Sequence, residues 1–134
     1  MIEIVIPGQP VPKARPRVLK SGITYTPKRT AEYERLTRLI YSAKYKRPLD
    51  GSVRMDIRAY FAIPKSYPQN KRAALEGTHY PKRPDPDNIA KIIMDALNGL
   101  AYEDDSKVVE LSIEKRYSEN PRVEVRIDNA EAEE

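Results

Sequence analysis

Apolar residues stand at every second position in Ile2, Ile4 and Ile6, the period of a strand with one buried face, and Pro7-Gly8 stops it. The same alternation is longest from Val53 through Met55, Ile57, Ala59 and Phe61 to Ile63, with Arg54, Asp56, Arg58 and Tyr60 between them. It returns in Val109, Leu111 and Ile113, set among Glu110, Ser112 and Glu114, and in Val123, Val125 and Ile127 beyond an Asn120-Pro121 turn. The short link between these last two strands predicts that they pair antiparallel. Helical spacing replaces alternation in two places. Thr30 is placed to cap a helix from Ala31 to Lys46, with Leu36, Leu39, Ile40 and Ala43 as its apolar stripe and Pro48 beyond its end. A second helix begins near Asp87, carries Ile89, Ile92, Ile93, Ala96, Leu97 and Leu100 on one face, and stops at Asn98-Gly99.

Between these elements, Ser21-Gly22 is positioned to turn a small hairpin through Val18 and Ile23 to Tyr25. A long connection from Pro64 to Pro84 holds a short helical turn near Asn70 to Glu76. The order β-α-β-α-β-β, alternating rather than continuously apolar, predicts an α+β fold: a mixed or antiparallel sheet packed with helices. Residues 1–128 read as one domain and residues 129–134 as an acidic C-terminal tail.

Charge changes the picture. The 134 residues hold 24 Lys and Arg against 20 Asp and Glu, and the calculated pI of 9.2 favours an anionic partner such as nucleic acid. The absence of cysteine excludes a disulfide framework, a thiol nucleophile and a zinc-thiolate site, and suits a reducing cytoplasm. The single histidine, His79, has no second imidazole with which to share a metal and reads as an exposed loop residue. No apolar run approaches the ~20 residues needed to span a bilayer, so no membrane partner is expected. From Gln9 to Arg29 a proline-rich segment carries Lys13, Arg15, Arg17, Lys20, Lys28 and Arg29, and reads as a phosphate-contacting arm.

Against this basic background, Arg83 to Lys107 concentrates six acids: Asp85, Asp87, Asp95, Glu103, Asp104 and Asp105. Pro84 and Pro86 push Asp85 and Asp87 toward extended geometry, in which both carboxylates project to one side. Two neighbouring carboxylates repel unless a cation lies between them, which points to a hard metal where a phosphate is bound. Capping of the helix accounts for Asp87 alone. Asp87, Lys91 and Asp95, four apart, share one helix face. Lys91 serves either as a surface ion-pair partner or as a cation that stabilises charge developing at a phosphate. The Asp104-Asp105 turn lies either back toward the helix start or at its far end. An EF-hand, a Gly-rich phosphate loop and a Ser-His-Asp set are all excluded by spacing.

The block Arg83-Pro-Asp-Pro-Asp-Asn-Ile-Ala-Lys91, followed by Asp95-Ala-Leu-Asn-Gly99 and Tyr102-Glu-Asp-Asp-Ser-Lys-Val-Val109, resembles the signature of the RusA family of Holliday junction resolvases, prophage-associated endodeoxyribonucleases. Gly8-Gln-Pro-Val-Pro-Lys-Ala-Arg-Pro-Arg17 and Tyr25-Thr-Pro-Lys28 extend the resemblance across the basic N-terminal part. It implies a small homodimer that binds four-way DNA junctions and, with Mg²⁺ or Mn²⁺, makes paired nicks. Carried over by position, Asp85, Asp87 and Asp105 would be the catalytic, metal-binding aspartates, Lys91 the catalytic lysine, and Asp95 and Asp104 supporting acids. Lys13, Arg15, Arg17, Lys28, Arg29, Lys65, Lys71, Lys82 and Arg83 are the candidate contacts to the DNA backbone. Two alternatives stand beside this reading: a nuclease for other branched DNA such as forks, and a non-catalytic nucleic-acid-binding module.

Overall fold

A computed structural model describes residues 1–14, 17–25 and 27–130. Four strands, β1 (Ile2–Pro7), β4 (Val53–Ala62), β5 (Val108–Ser118) and β6 (Arg122–Asn129), form one mixed sheet in the order β1-β6-β4-β5. A separate hairpin pairs β2 (Arg17–Val18) with β3 (Thr24–Tyr25). The helices are α1 (Lys28–Lys44), α2 (Gln69–Leu75) and α3 (Pro86–Leu97). This is the expected α+β arrangement of one sheet packed with helices, with the expected hairpin and the short helix α2 in the two long connections.

The alternation of β1, β4 and β6 translates directly into a buried and an open face. Ile2, Ile4, Ile6, Val53, Met55, Ile57, Ala59, Phe61, Val123, Val125 and Ile127 are all buried under the helices. From above, α3 inserts Ile89, Ile92, Ile93, Ala96 and Leu97. Cross-strand ion pairs cover the other face, including Glu3 with Arg126 at 3.3 Å and Arg58 with Glu114 at 3.9 Å.

The last two strands do not pair. β4 lies between them, parallel to β5 and antiparallel to β6, so residues 119–121 carry the chain over the end of β4. A parallel partner demands a crossover, which α2 and α3 supply. Along the outer edge of β5, residues 77–80 add backbone bonds: Gly77 N–H to Tyr117 O, Tyr117 N–H to Thr78 O and Tyr80 N–H to Lys115 O, each 2.9 Å. His79 is exposed on this segment, as expected.

Helix α1 departs furthest from its expected form. It starts at Lys28 with Pro27 as its N-cap, and its buried face is Thr30, Tyr33, Glu34, Thr37 and Tyr41. Leu36 and Leu39, predicted to be core, are 38% and 62% exposed. Polar groups can line the inner face because most are satisfied: Thr37 Oγ1 donates to Tyr33 O at 2.9 Å, Tyr41 OH donates to Arg47 O at 2.8 Å, and Glu34 receives Lys13. Thr30 is no cap; its Oγ1 accepts from Ala14 N–H at 3.3 Å. In β5, a register shift opposite Val53/Arg54 leaves Val109 without a partner and 57% exposed, whereas Leu111 pairs with Met55 on the helix-covered face and is still 46% exposed, in the last strand of the sheet, although both alternate as core residues.

The expected tail is tied at its start. Asn129 ends β6 and donates through Nδ2 to Asp50 O at 2.7 Å, and Ala130 N–H donates to Ser52 O at 2.9 Å. Residues 131–134 lie outside the described residues, as do Arg15 and the side chain of Arg17.

Candidate active site at the start of helix α3

The helix begins one residue earlier than the aspartate pattern suggests. Asp85 is the N-cap, with φ −66° and ψ 147°, and Pro86 occupies the first turn, where its missing N–H is harmless. That shift removes the extended geometry that would have set the two carboxylates side by side. Asp87 sits within the first helical turn, so the two-residue alternation of an extended chain no longer relates it to Asp85. Asp85 lines a cavity of about 570 Å³, whereas Asp87 lines a second one of about 260 Å³ on another side of the helix. Neither aspartate caps the helix through its side chain.

The smaller cavity gathers Asp87, Lys91 and Asp95 from one face of α3, as their spacing requires, together with Asp105 and Leu111. Asp105 thus borders the same cavity as Asp87, while its contacts run to the later half of α3, through Tyr102 beside Met94. Tyr102, fully buried, accounts for this position. Its hydroxyl lies 2.8 Å from Met94 O near the end of α3 and 3.2 Å from Asp105 Oδ1. Asp104 does something different: it caps the short 3₁₀ turn Asp105–Lys107, accepting from Ser106 N–H at 3.0 Å.

The two neighbouring acids are therefore driven in opposite directions. Burial pushes the Asp105 carboxyl above its ordinary pKa, with Asp95 and Asp104 adding to the push against the Tyr102 hydrogen bond and Lys91. Donation from Ser106 N–H holds the exposed Asp104 carboxyl below its ordinary value. A cation near Asp105 would relieve the crowding on that side.

Asp95 links the site to the rest of the molecule. Its Oδ1 accepts from Lys91 Nζ at 3.3 Å and its Oδ2 pairs with Lys13 Nζ at 3.0 Å. Lys13 also reaches Glu34 Oε2 at 3.1 Å, so one ammonium ties the N-terminal segment to both α1 and α3. Burial works against that charge, but the bonds and charges of Asp95 and Glu34 outweigh it and raise the Lys13 pKa. Lys13, expected to meet a DNA phosphate, is thus engaged inside the protein.

Of the other basic residues, Lys28 lies 3.8 Å from Glu32 on the exposed first turn of α1, and Lys71 stands 3.9 Å above the Tyr67 ring. Among the described residues, Arg29, Lys65, Lys82 and Arg83 have no carboxylate within ion-pair distance. Arg29 and Arg83 border the larger cavity beside Asp85. Lys115, which the sequence did not single out, holds the approach to Asp85: its Nζ donates to Lys82 O at 2.6 Å and Pro84 O at 2.8 Å. Tyr102 was missed as well, although its position three residues before Asp105 was a usable signal.

Among the described residues, no three Asp, Glu or His side chains are close enough together to hold a metal by themselves. The donors are nonetheless the hard oxygens that Mg²⁺ takes, and Mg²⁺ commonly uses one or two carboxylates with substrate phosphates rather than an all-protein cage. No helix among the described residues is long and apolar enough to cross a membrane.

Comparison with known proteins concerns nearly the whole chain. A family model described as Endodeoxyribonuclease RusA matches residues 7–128, which takes in both cavities. An uncharacterized protein of Bacillus subtilis (strain 168), YqaN, is 38% identical over 141 aligned positions covering 98% of each chain. The chain belongs to the RusA family of endodeoxyribonucleases, and is a nuclease.

Proposed function

We propose that the protein resolves four-way DNA junctions by Mg²⁺-dependent nicking, with Asp87, Asp105 and Asp85 as the metal-binding carboxylates and Lys91 as the catalytic cation. The observation that carries this reading is the meeting of Asp87, Lys91, Asp95 and Asp105 at one cavity in a chain of the RusA family. When bound, the metal would polarise the scissile phosphate and lower the pKa of an attacking water. Asp87 and Asp105 would provide oxygens from two different elements, and Asp85, which borders the neighbouring cavity, would be the third donor. Lys91, exposed and loosely tied to Asp95 at 3.3 Å, is free to turn to a phosphate oxygen as charge develops there. Asp95 orients that lysine, and Asp104 fixes the turn that presents Asp105.

Arg29 and Arg83, which border one cavity, together with Lys28, Lys65, Lys71 and Lys82, are the cations that would contact the DNA backbone. The ion-paired open face of the sheet is a poor competitor, since its cations already have carboxylate partners. A two-fold homodimer suits the substrate, because a four-way junction has two-fold symmetry and paired nicks need one site on each of two strands.

The test is incubation of the protein with a labelled four-way junction, a matched duplex and a fork, in Mg²⁺ or EDTA, beside Asp87→Asn. Paired nicks confined to the junction, dependent on metal and absent in the variant, are expected. Equal cutting of the fork would reassign the substrate, and tight binding without cutting in Mg²⁺ or Mn²⁺ would leave only a binding module. Sedimentation at micromolar concentration should give twice the chain mass of 15.4 kDa.

A further inference from the structure

The larger cavity contains more than phosphate chemistry requires. Arg29 and Arg83 stand at its border, but its wall includes the half-buried Tyr80 ring, which the buried Phe61 ring backs at 4.2 Å with an interplanar angle of 8°. Two side-chain amides complete it. Gln9 Oε1 accepts from Ala62 N–H at 2.9 Å, which leaves its NH₂ group to donate elsewhere. The Asn88 amide has no side-chain hydrogen bond among the described residues, so both its donor and its acceptor are available. Cations at the border, amides on the wall and the Tyr80 ring beside them match the parts of one nucleotide: phosphate, base edge and base face.

Size and rigidity agree with that occupant. About 570 Å³ falls in the range of about 300 to 1,000 Å³ typical of pockets that enclose a small ligand. The walls are built in advance: Lys13 N–H donates to Asn88 O at 2.9 Å on one side, and Lys115 holds Lys82 and Pro84 on the other. An entering base would not have to order the protein around itself. The cavity also adjoins the proposed chemistry, because Asp85 lines it while Asp87, two residues along, lines the smaller one.

We infer that this cavity takes one unstacked nucleotide of the strand being cut, next to the scissile phosphate, and that the Asn88 and Gln9 amides read its base. The inference rests on the nuclease reading and adds to it a source of sequence preference at the cut. Bases beside a junction crossover lack a full stack, so withdrawing one there costs less than in continuous duplex.

The experiment uses four-way junctions carrying 2-aminopurine at successive positions around the crossover, bound in EDTA so that nothing is cut, with gel-shift binding in parallel. Emission should rise several-fold at one strand position with the unaltered protein, and the rise should vanish with Asn88→Phe, which fills the cavity. Asn88→Ala should keep the rise. In Mg²⁺ it should reduce discrimination among the four bases at that position from about tenfold to about twofold, the scale of one lost base contact. Tight junction binding with flat emission everywhere would overturn the inference, as would a rise unchanged in a folded, junction-binding Asn88→Phe. A rise without nicking in Mg²⁺ or Mn²⁺ would support the pocket while removing the resolvase reading. Failure to bind any junction would overturn both.

Discussion

Tyr102 has one hydroxyl proton and two acceptors, Met94 O at 2.8 Å and Asp105 Oδ1 at 3.2 Å. With Asp105 ionised, the proton can serve only one of them fully, and the shorter bond goes to the helix carbonyl. Tyr102→Phe should therefore cost about 1 kcal/mol of stability in urea denaturation and lower the nicking rate by roughly tenfold, because Asp105 loses the group that fixes its position. The raised pKa of Asp105 carries its own sign. An acid whose folded pKa lies above its unfolded value destabilises the fold when ionised; the penalty is absent below the unfolded pKa and complete above the folded one. Asp105→Asn, measured in EDTA, should thus melt higher than the unaltered protein at pH 7 while losing nicking, and its advantage should shrink as the pH falls toward 4. Lys13 poses the opposite case. Lys13→Met leaves Glu34 and Asp95 facing each other without their shared cation and should cost about 2 kcal/mol, less in a Glu34→Gln background.

At the scale of elements, α3 was legible and α1 was not. In α3 the isoleucines, alanine and leucine share one arc and the charges another, so periodicity alone identified both the core face and the alignment of Asp87, Lys91 and Asp95. In α1 the usual rule failed because Thr30, Thr37, Tyr41 and Glu34 find partners inside, and internal partners cannot be read from spacing. Leu39→Glu should accordingly change stability by no more than about 0.5 kcal/mol in the monomer, whereas Tyr41→Ala should cost about 4 kcal/mol; thermal or denaturant melts of the two variants decide it. The pairing of β5 with β6 was misjudged for a geometric reason. Residues 119–121 suffice either for a hairpin or for a step over the end of one strand, and the insertion of β4 depends on contacts with residues far away in sequence. That Asp85 and Asp87 border different cavities likewise turns on where the helix begins, the boundary that Pro86 moves by one residue.

At the scale of the whole molecule, charge is segregated rather than spread. The open sheet face pairs Arg54, Arg58 and Arg126 with glutamates, while Arg29 and Arg83 lie beside the cavity at Asp85 without such partners among the described residues. Arg83→Ala should lower the slope of log binding constant against log salt by about 1, and Arg58→Ala should leave that slope unchanged; junction titrations at several salt concentrations test both. The sheet order has a kinetic consequence of its own. Ile2 pairs with Ile127 and Val53 with Asn129, so β6, an interior strand, joins partners from the beginning and the middle of the sequence. Closing such long loops precedes any reward from the contacts, which makes formation of this sheet slow and leaves the edges of β1 and β4 unprotected until β6 arrives. A polypeptide interrupted before residue 122 would expose two apolar strands with nothing between them, and would be expected to aggregate rather than persist as a smaller folded nuclease.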